Sequence, residues 1–300
     1  MSKTPPVLFI IFNRPETTAQ VWEAIRAAKP QRLYVSADGP RTTKSGEVEK
    51  CAACRQIVSA PDWDCEVKYN FLSGNHGCRR GVNAALDFFF SHEEEGIILE
   101  DDCLPHPDFF RYAALMLSHY RNDERIMHIN GSNCQNGIRR GEGDIYFSRC
   151  VSVWGWASWR RAWLKNDRDL QNYDFTAAID KTFRDREKRS RWHWILKQIR
   201  DKNPNFDTWD FQWNASIFAN DAYVITPQEN LVMNIGLNCG GSHQMDQKRF
   251  FVPHSVNGFP ETPAIPENIS ANEEADDIFF RTFLKKRNIF QRIIDKLCKR

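Results

Sequence analysis

The first hundred residues alternate unbroken apolar runs with segments of helical period, and this alternation constrains the fold more than any other feature. Residues 7–12 (VLFIIF) are apolar throughout, as a strand buried on both faces of a parallel sheet must be. Asn13-Arg14-Pro15-Glu16 interrupts the run, Thr17 or Thr18 can cap a helix to about Ala28, and Lys29-Pro30 stops it. A second strand over 33–36 ends in the turn Asp38-Gly39-Pro40, a helix over 47–58 follows, and 66–71 reads as a third strand. After a loop over 74–77, a helix over 79–90 leads into a strand over 96–99 that stops abruptly in Glu100-Asp101-Asp102. This spacing predicts an α/β fold, a doubly wound, mostly parallel, Rossmann-like sheet with helices on both faces.

Beyond residue 102 the pattern loosens. Helices over 107–120 and 209–220 and strands over 125–129, 145–148, 223–226 and 231–235 are expected around a Trp-rich stretch at 151–163. The charged run 184–191 reads as a solvated helix face. A formal net charge of +2 gives no global nucleic-acid signal. Nine cysteines at irregular spacing point to a reducing, cytoplasmic compartment rather than a disulfide framework. Cys51 and Cys54, with Cys65 and Cys78 downstream, make a poor zinc pattern because the first pair falls inside a helix. No apolar run approaches the roughly 18 residues that span a bilayer, and 7–12 is too short for a signal-peptide core. A soluble, non-secreted protein is therefore expected.

Three adjacent carboxylates at the end of a buried strand repel one another and resist burial. Either basic side chains or a metal ion must balance them, unless they lie in a solvated loop. In open α/β sheets ligands bind at the carboxyl ends of the strands. Hard oxygen donors there favour Mg²⁺ or Mn²⁺, bridging carboxylate to diphosphate.

The chain resembles GT-A-type nucleotide-sugar glycosyltransferases, in particular the N-acetylglucosaminyltransferase I group and its bacterial relatives. The likeness runs in order through residues 5–250: the opening strand to Arg14, Ser36-Ala37-Asp38-Gly39, Leu99-Glu100-Asp101-Asp102 continuing into Pro107-Asp108-Phe109-Phe110, Trp209-Asp210, and Asn234-Ile235-Gly236 to Gly241-Ser242-His243. The resemblance implies a GT-A fold, a nucleoside diphosphate sugar donor, UDP-linked, and a saccharide or lipid-linked saccharide acceptor. It also implies Mn²⁺ or Mg²⁺ held by Asp102, with Glu100 and Asp101 on the donor's ribose or sugar hydroxyls. Asp38 resembles the acid that contacts the uracil, and also reads as a plain Asp-Gly-Pro turn. His243 matches an added metal or phosphate ligand, against the reading of a structural histidine.

Other roles follow from chemistry. Arg14, ending the first strand, can meet a phosphate. Arg79 and Arg80, at a helix N-terminus, can meet a phosphate or the acids, or be solvated. Inverting transfer needs a carboxylate base, for which Asp210, set between Trp209 and Phe211, is the candidate and Asp207 the reserve. In the relatives two adjacent acids lie between the tryptophans, whereas here Phe211 takes the second place. Trp154 and Trp156, near Arg160 and Arg161, can stack on an acceptor sugar or form a core patch. The expected organisation is a nucleotide-sugar half (1–102), an acceptor half (103–258), a linker (259–276) and a basic amphipathic tail helix (277–300). That tail suits an anionic membrane surface, giving a cytoplasmic protein at the inner face of the membrane, or is simply solvated. The rivals are a nucleotidyltransferase on a similar sheet, a non-catalytic sugar-nucleotide binder and a membrane-docking scaffold.

Overall fold

The computed structural model describes residues 4–236, 253–255 and 257–285. Its sheet opens with strands β1 (Val7–Ile11), β2 (Arg32–Ala37), β3 (Glu66–Phe71) and β4 (Glu95–Glu100). Helices α1 (Pro15–Ala28), α2 (Glu47–Ile57) and α3 (Gly77–His92) connect them. These four strands are mutually parallel, in the order β3-β2-β1-β4. Helix α1 starts earlier than Thr17 or Thr18 suggested: Pro15 takes the first turn, where its missing N–H costs nothing, and both threonines are buried.

After β5 (Cys103–Pro105) and α4 (Pro107–His119), the sheet continues through β6 (Ile126–Asn130), β7 (Ile145–Ser148), β8 (Trp156–Trp159) and, later, β9 (Tyr223–Pro227). The full order is β3-β2-β1-β4-β8-β6-β9-β7, an eight-stranded, mostly parallel sheet in which β8 and β7 run against their neighbours. Between β8 and β9 lie α5 (Arg160–Trp163), α6 (Phe175–Thr182), α7 (Arg186–Arg200) and α8 (Asp210–Ala219). Strand β10 (Val232–Asn234) pairs with β5, and α9 (Glu273–Phe279) passes into a π-helical turn over Phe280–Leu284.

The strand residues alternate between two cores, as a sheet covered on both faces requires. Val7, Phe9 and Ile11 join Val21, Ile25, Phe109 and Met116 on the α1/α4 face. Leu8 and Ile98 join Leu86, Phe89 and Trp213 on the α3/α8 face. A third cluster sits between α6, α7 and the outer side of α8, and takes Phe280 and Leu284 from the C-terminal segment. The stretch 259–276, expected as a linker, is pinned at its two ends: Phe259, Ala275 and Asp276 are buried and the Asn272 amide bonds the β7 backbone, while 260–274 is half-buried or exposed. The part of the tail that is described turns its apolar residues inward rather than toward a lipid surface. Residues 286–300 lie outside the described residues. Among the described residues, no helix is long and apolar enough to cross a membrane.

Candidate active site

A cavity of about 500 Å³ opens at the carboxyl ends of β1, β2 and β4. Its lining includes Arg14, Asp38, Arg41, Glu100, Asp101 and Asp207. Four carboxylates therefore face two guanidinium groups. The balancing cation for the acid triplet is Arg14. It donates from Nη2 to Asp101 Oδ1 at 2.5 Å and from Nη1 to Asp102 Oδ2 at 2.6 Å. The Phe12 amide adds a bond to Asp101 Oδ2 at 3.1 Å. Burial opposes the Arg14 charge, but the two aspartates hold it more firmly protonated than a free arginine. Arg14 was expected on a phosphate; here it bridges the acids at the same strand end.

Glu100 differs from its neighbours. Its side chain lines the cavity and accepts no hydrogen bond from a described residue. Burial, with Asp102 and Asp101 beside it, pushes its carboxyl up to about 8. Burial also raises Asp101, against the pull of Arg14. Behind the pair, the β5/β10 ladder brings Gly236 against it, with the Ile235 amide on the Asp102 carbonyl at 2.8 Å. A Cβ on Gly236 would overlap Asp102 Oδ2 and Arg14 Nη1, so this close approach requires glycine.

Asp38 and Asp207 organise the rim. Asp38 accepts from the amides of Gly39, His76 and Gly77 and from Asn75 Nδ2, at 2.8–3.1 Å. Asp207 accepts from the Cys78 and Arg79 amides at 3.0 and 3.3 Å, 129 and 128 residues away in sequence. Together they satisfy the N-terminus of α3, whose orphan amides and dipole favour negative charge. Asp38 is thus both a cavity wall and the brace of the loop before α3, the turn role being the fuller of its two readings. Arg41 bonds Glu47, which also accepts from Asn13 and is pulled down to about 2 by that arginine.

The remaining candidates separate. The Arg79 side chain turns away from the cavity, to the Arg168 carbonyl (2.6 Å) and Asp169 (3.1 Å). Arg80 is exposed and does not line the cavity, the solvated one of its readings, so neither arginine stands at the donor cavity. Trp156 is also corrected: it is fully buried, stacked on His128 at 4.8 Å and on Trp209 at 5.7 Å. Trp154 instead lines a second pocket of about 120 Å³, together with Asp210 and Phe211. Asp210 stands in the first turn of α8, accepts from the Thr208 hydroxyl, and lies near enough to Glu100 to raise it. It lines the second pocket and not the first. His243 lies outside the described residues. Sequence reading missed Arg41 and Asn75, whose proximity to the site comes from loop geometry alone.

Among the described residues no group of three or more His, Cys, Asp or Glu side chains forms a metal cage. Magnesium-like ions rarely need one: they commonly take one or two carboxylates together with substrate phosphates and water. Glu100, a carboxyl group that accepts no hydrogen bond from a described residue, would give up its proton to a cation, so the donor set fits such an ion arriving with a diphosphate.

No family model and no curated protein matches the chain. Solved structures similar to it include UDP-glucose pyrophosphorylase complexed with UDP-glucose (11% identity, TM-score 0.38, covering 92% of this chain and 98% of that one). Others are a cytidylyltransferase from Leptospira borgpetersenii (11%, 0.33, 69% and 74%) and HddC from Yersinia pseudotuberculosis (9%, 0.31, 52% and 77%). Overlaps this slight carry no argument about activity.

Proposed function

We propose that the cavity binds a nucleoside diphosphate sugar, UDP-linked, and that the protein transfers the sugar to a saccharide or lipid-linked saccharide acceptor. The observation that carries this reading is the Arg14–Asp101–Asp102 cluster at the strand ends, where a cavity opens. A cavity with more acids than bases repels a diphosphate unless a cation accompanies it, hence the proposed Mn²⁺ or Mg²⁺ on Asp102 and Glu100. When bound, that ion would stabilise the negative charge of the departing diphosphate. Arg14 orients the two aspartates and offers a guanidinium to the same phosphates. Asp101 accepts from ribose and sugar hydroxyls, the role that Glu100 gives up to the ion. Asp210 takes the acceptor's hydroxyl proton as the oxygen attacks, which gives inversion at the anomeric carbon.

The test is turnover of a panel of UDP-sugars with Mn²⁺, read as slow hydrolysis when no acceptor is added. Asp210→Asn is expected to lower turnover by roughly 10²–10⁴-fold while UDP still binds. Release of pyrophosphate from a nucleoside triphosphate and a sugar phosphate would favour nucleotidyl transfer instead. The pyrophosphorylase and the cytidylyltransferase are named for that activity, and it fits those names better than sugar transfer does. The β1–α1 loop, Phe12-Asn13-Arg14-Pro15, nevertheless lacks the glycine-rich, basic form such chemistry uses. Binding without any turnover would leave a sugar-nucleotide-binding module.

A further inference from the structure

The two edges of the eight-stranded sheet are finished differently. Strand β7, at one edge, is covered by the C-terminal segment: Phe147 bridges Ala271, and the Asn272 amide reaches the Phe147 carbonyl at 2.8 Å. Strand β3, at the other edge, pairs with β2 alone. The Glu66 and Leu72 amides reach the Gln31 and Ala37 carbonyls, each at 2.9 Å, so the even-numbered residues of β3 face β2. The backbone groups of Val67, Tyr69 and Phe71 therefore point outward, and no described residue bonds them.

An open edge of this kind is a template for another strand, and proteins commonly blunt it with a proline, a bulge or a covering segment. Strand β3 holds no proline and runs beside β2 in unbroken register. It also carries two of the five exposed large apolar side chains among the described residues: Tyr69 and Phe71, each 38% exposed, with ring centroids 5.1 Å apart. On its other face Lys68 guards the edge, as lysines often do. Glu66, however, pairs with that lysine at 3.4 Å, and both side chains are open to solvent.

These two charges select a partner. A second β3, turned about a twofold axis through Val67, runs antiparallel to the first and sets Glu66 opposite the partner's Lys68 and Lys68 opposite the partner's Glu66. Val67 then faces the partner's Val67 and Tyr69 the partner's Cys65, so outward backbone groups meet outward backbone groups. An axis through Lys68 would set lysine against lysine. An axis through Tyr69 would set Lys68 against the partner's Asn70 and Glu66 against the partner's Leu72, with neither charge paired across the seam. We infer that the β3 edge is an interaction surface for a second copy of this chain, joining two sheets into one about a twofold axis at Val67. None of the residues lining the donor cavity lies on β3, so the inference stands apart from the sugar-transfer reading.

The experiment is sedimentation equilibrium of the full chain, from micromolar concentration upward. Wild type is expected to exchange between one and two chains. Glu66→Lys and Lys68→Glu each turn two cross-strand attractions into repulsions and should weaken the dimer about tenfold or more. Mixed in equal amounts, the two variants should dimerise with each other, because every lysine of one then meets a glutamate of the other. A chain carrying both Glu66→Lys and Lys68→Glu should dimerise alone. Both positions are exposed, so the variants are expected to stay folded, which melting curves check and the mixture confirms. A wild-type chain that remains monomeric at its highest soluble concentration overturns the inference and leaves the edge to some other strand. A dimer that neither single variant weakens overturns it too, as does a mixture that fails to reassociate.

Discussion

The two halves of the sheet are held at their working ends by different forces. Around β1, β2 and β4 the organisation is ionic: Arg14 between Asp101 and Asp102, Arg41 on Glu47, and Asp38 and Asp207 on the amides that begin α3. Around β8, β6 and α8 it is aromatic: Trp156, Trp163, Trp209 and Trp213 pack with His128, whose Nδ1 accepts from Trp213 at 3.1 Å. A charged end suits an ionic ligand that must be released after turnover, because ion pairs can exchange partners without repacking a core. The aromatic half, in contrast, is a closed core, because all four tryptophans are buried.

The contrast can be broken from either side. The largest effect is expected from acid on the aromatic half. Burial depresses His128 from 6.5 to about 3, so the fold binds it neutral. Its contribution is complete above pH 6.5 and is lost as pH falls toward 3, about 4–5 kcal/mol in all. Urea unfolding across that range should show this slope, and a His128→Gln variant should lack it. Asp276 acts with the opposite sign. Burial raises it to about 6, so its contribution is complete below 3.8 and is lost as pH rises through 6.

Next is Arg14→Ala, which leaves two buried carboxylates without their cation and should cost about 3–5 kcal/mol, with Arg14→Lys recovering part. Denaturant midpoints measure both, and an Arg14→Ala protein as stable as wild type would refute the ionic organisation. A smaller cost, about 1–3 kcal/mol, is expected from Gly96→Ala, because a Cβ there meets the Pro6 carbonyl at 2.6 Å and the Phe89 ring. The smallest is Asp207→Ala, about 0.5–2 kcal/mol, the range for loss of a helix cap. It should appear as faster hydrogen exchange at Cys78 and Arg79.

What could be read from the chain follows the same division. Strands β1 to β4 were legible because each is a local apolar run followed by its own helix, and β3 and β7 fall at the expected residues. The need for a cation at the acid triplet was legible from repulsion alone, and Arg14 was its nearest basic neighbour in the sheet. Strand β8 was hidden because its sequence, Trp-Ala-Ser-Trp, merges with the surrounding tryptophans, and both partners come from distant parts of the chain. Arg79 misled for a local reason: its position at a helix N-terminus is visible in sequence, but the loop carrying Arg168 and Asp169 that captures it is not. The apolar stripe of the C-terminal segment signals burial but not what buries it, so a membrane surface and a protein wall look alike.

The most direct test is calorimetric titration of UDP, with and without Mn²⁺, into the wild-type protein and Asp102→Asn. Wild type should bind UDP at least tenfold more tightly with Mn²⁺ than without, and Asp102→Asn should lose that gain while remaining folded. Equal Mn²⁺-dependent binding by the two proteins, or no heat with UDP in either, would contradict the assignment of the acidic cavity to a nucleoside diphosphate.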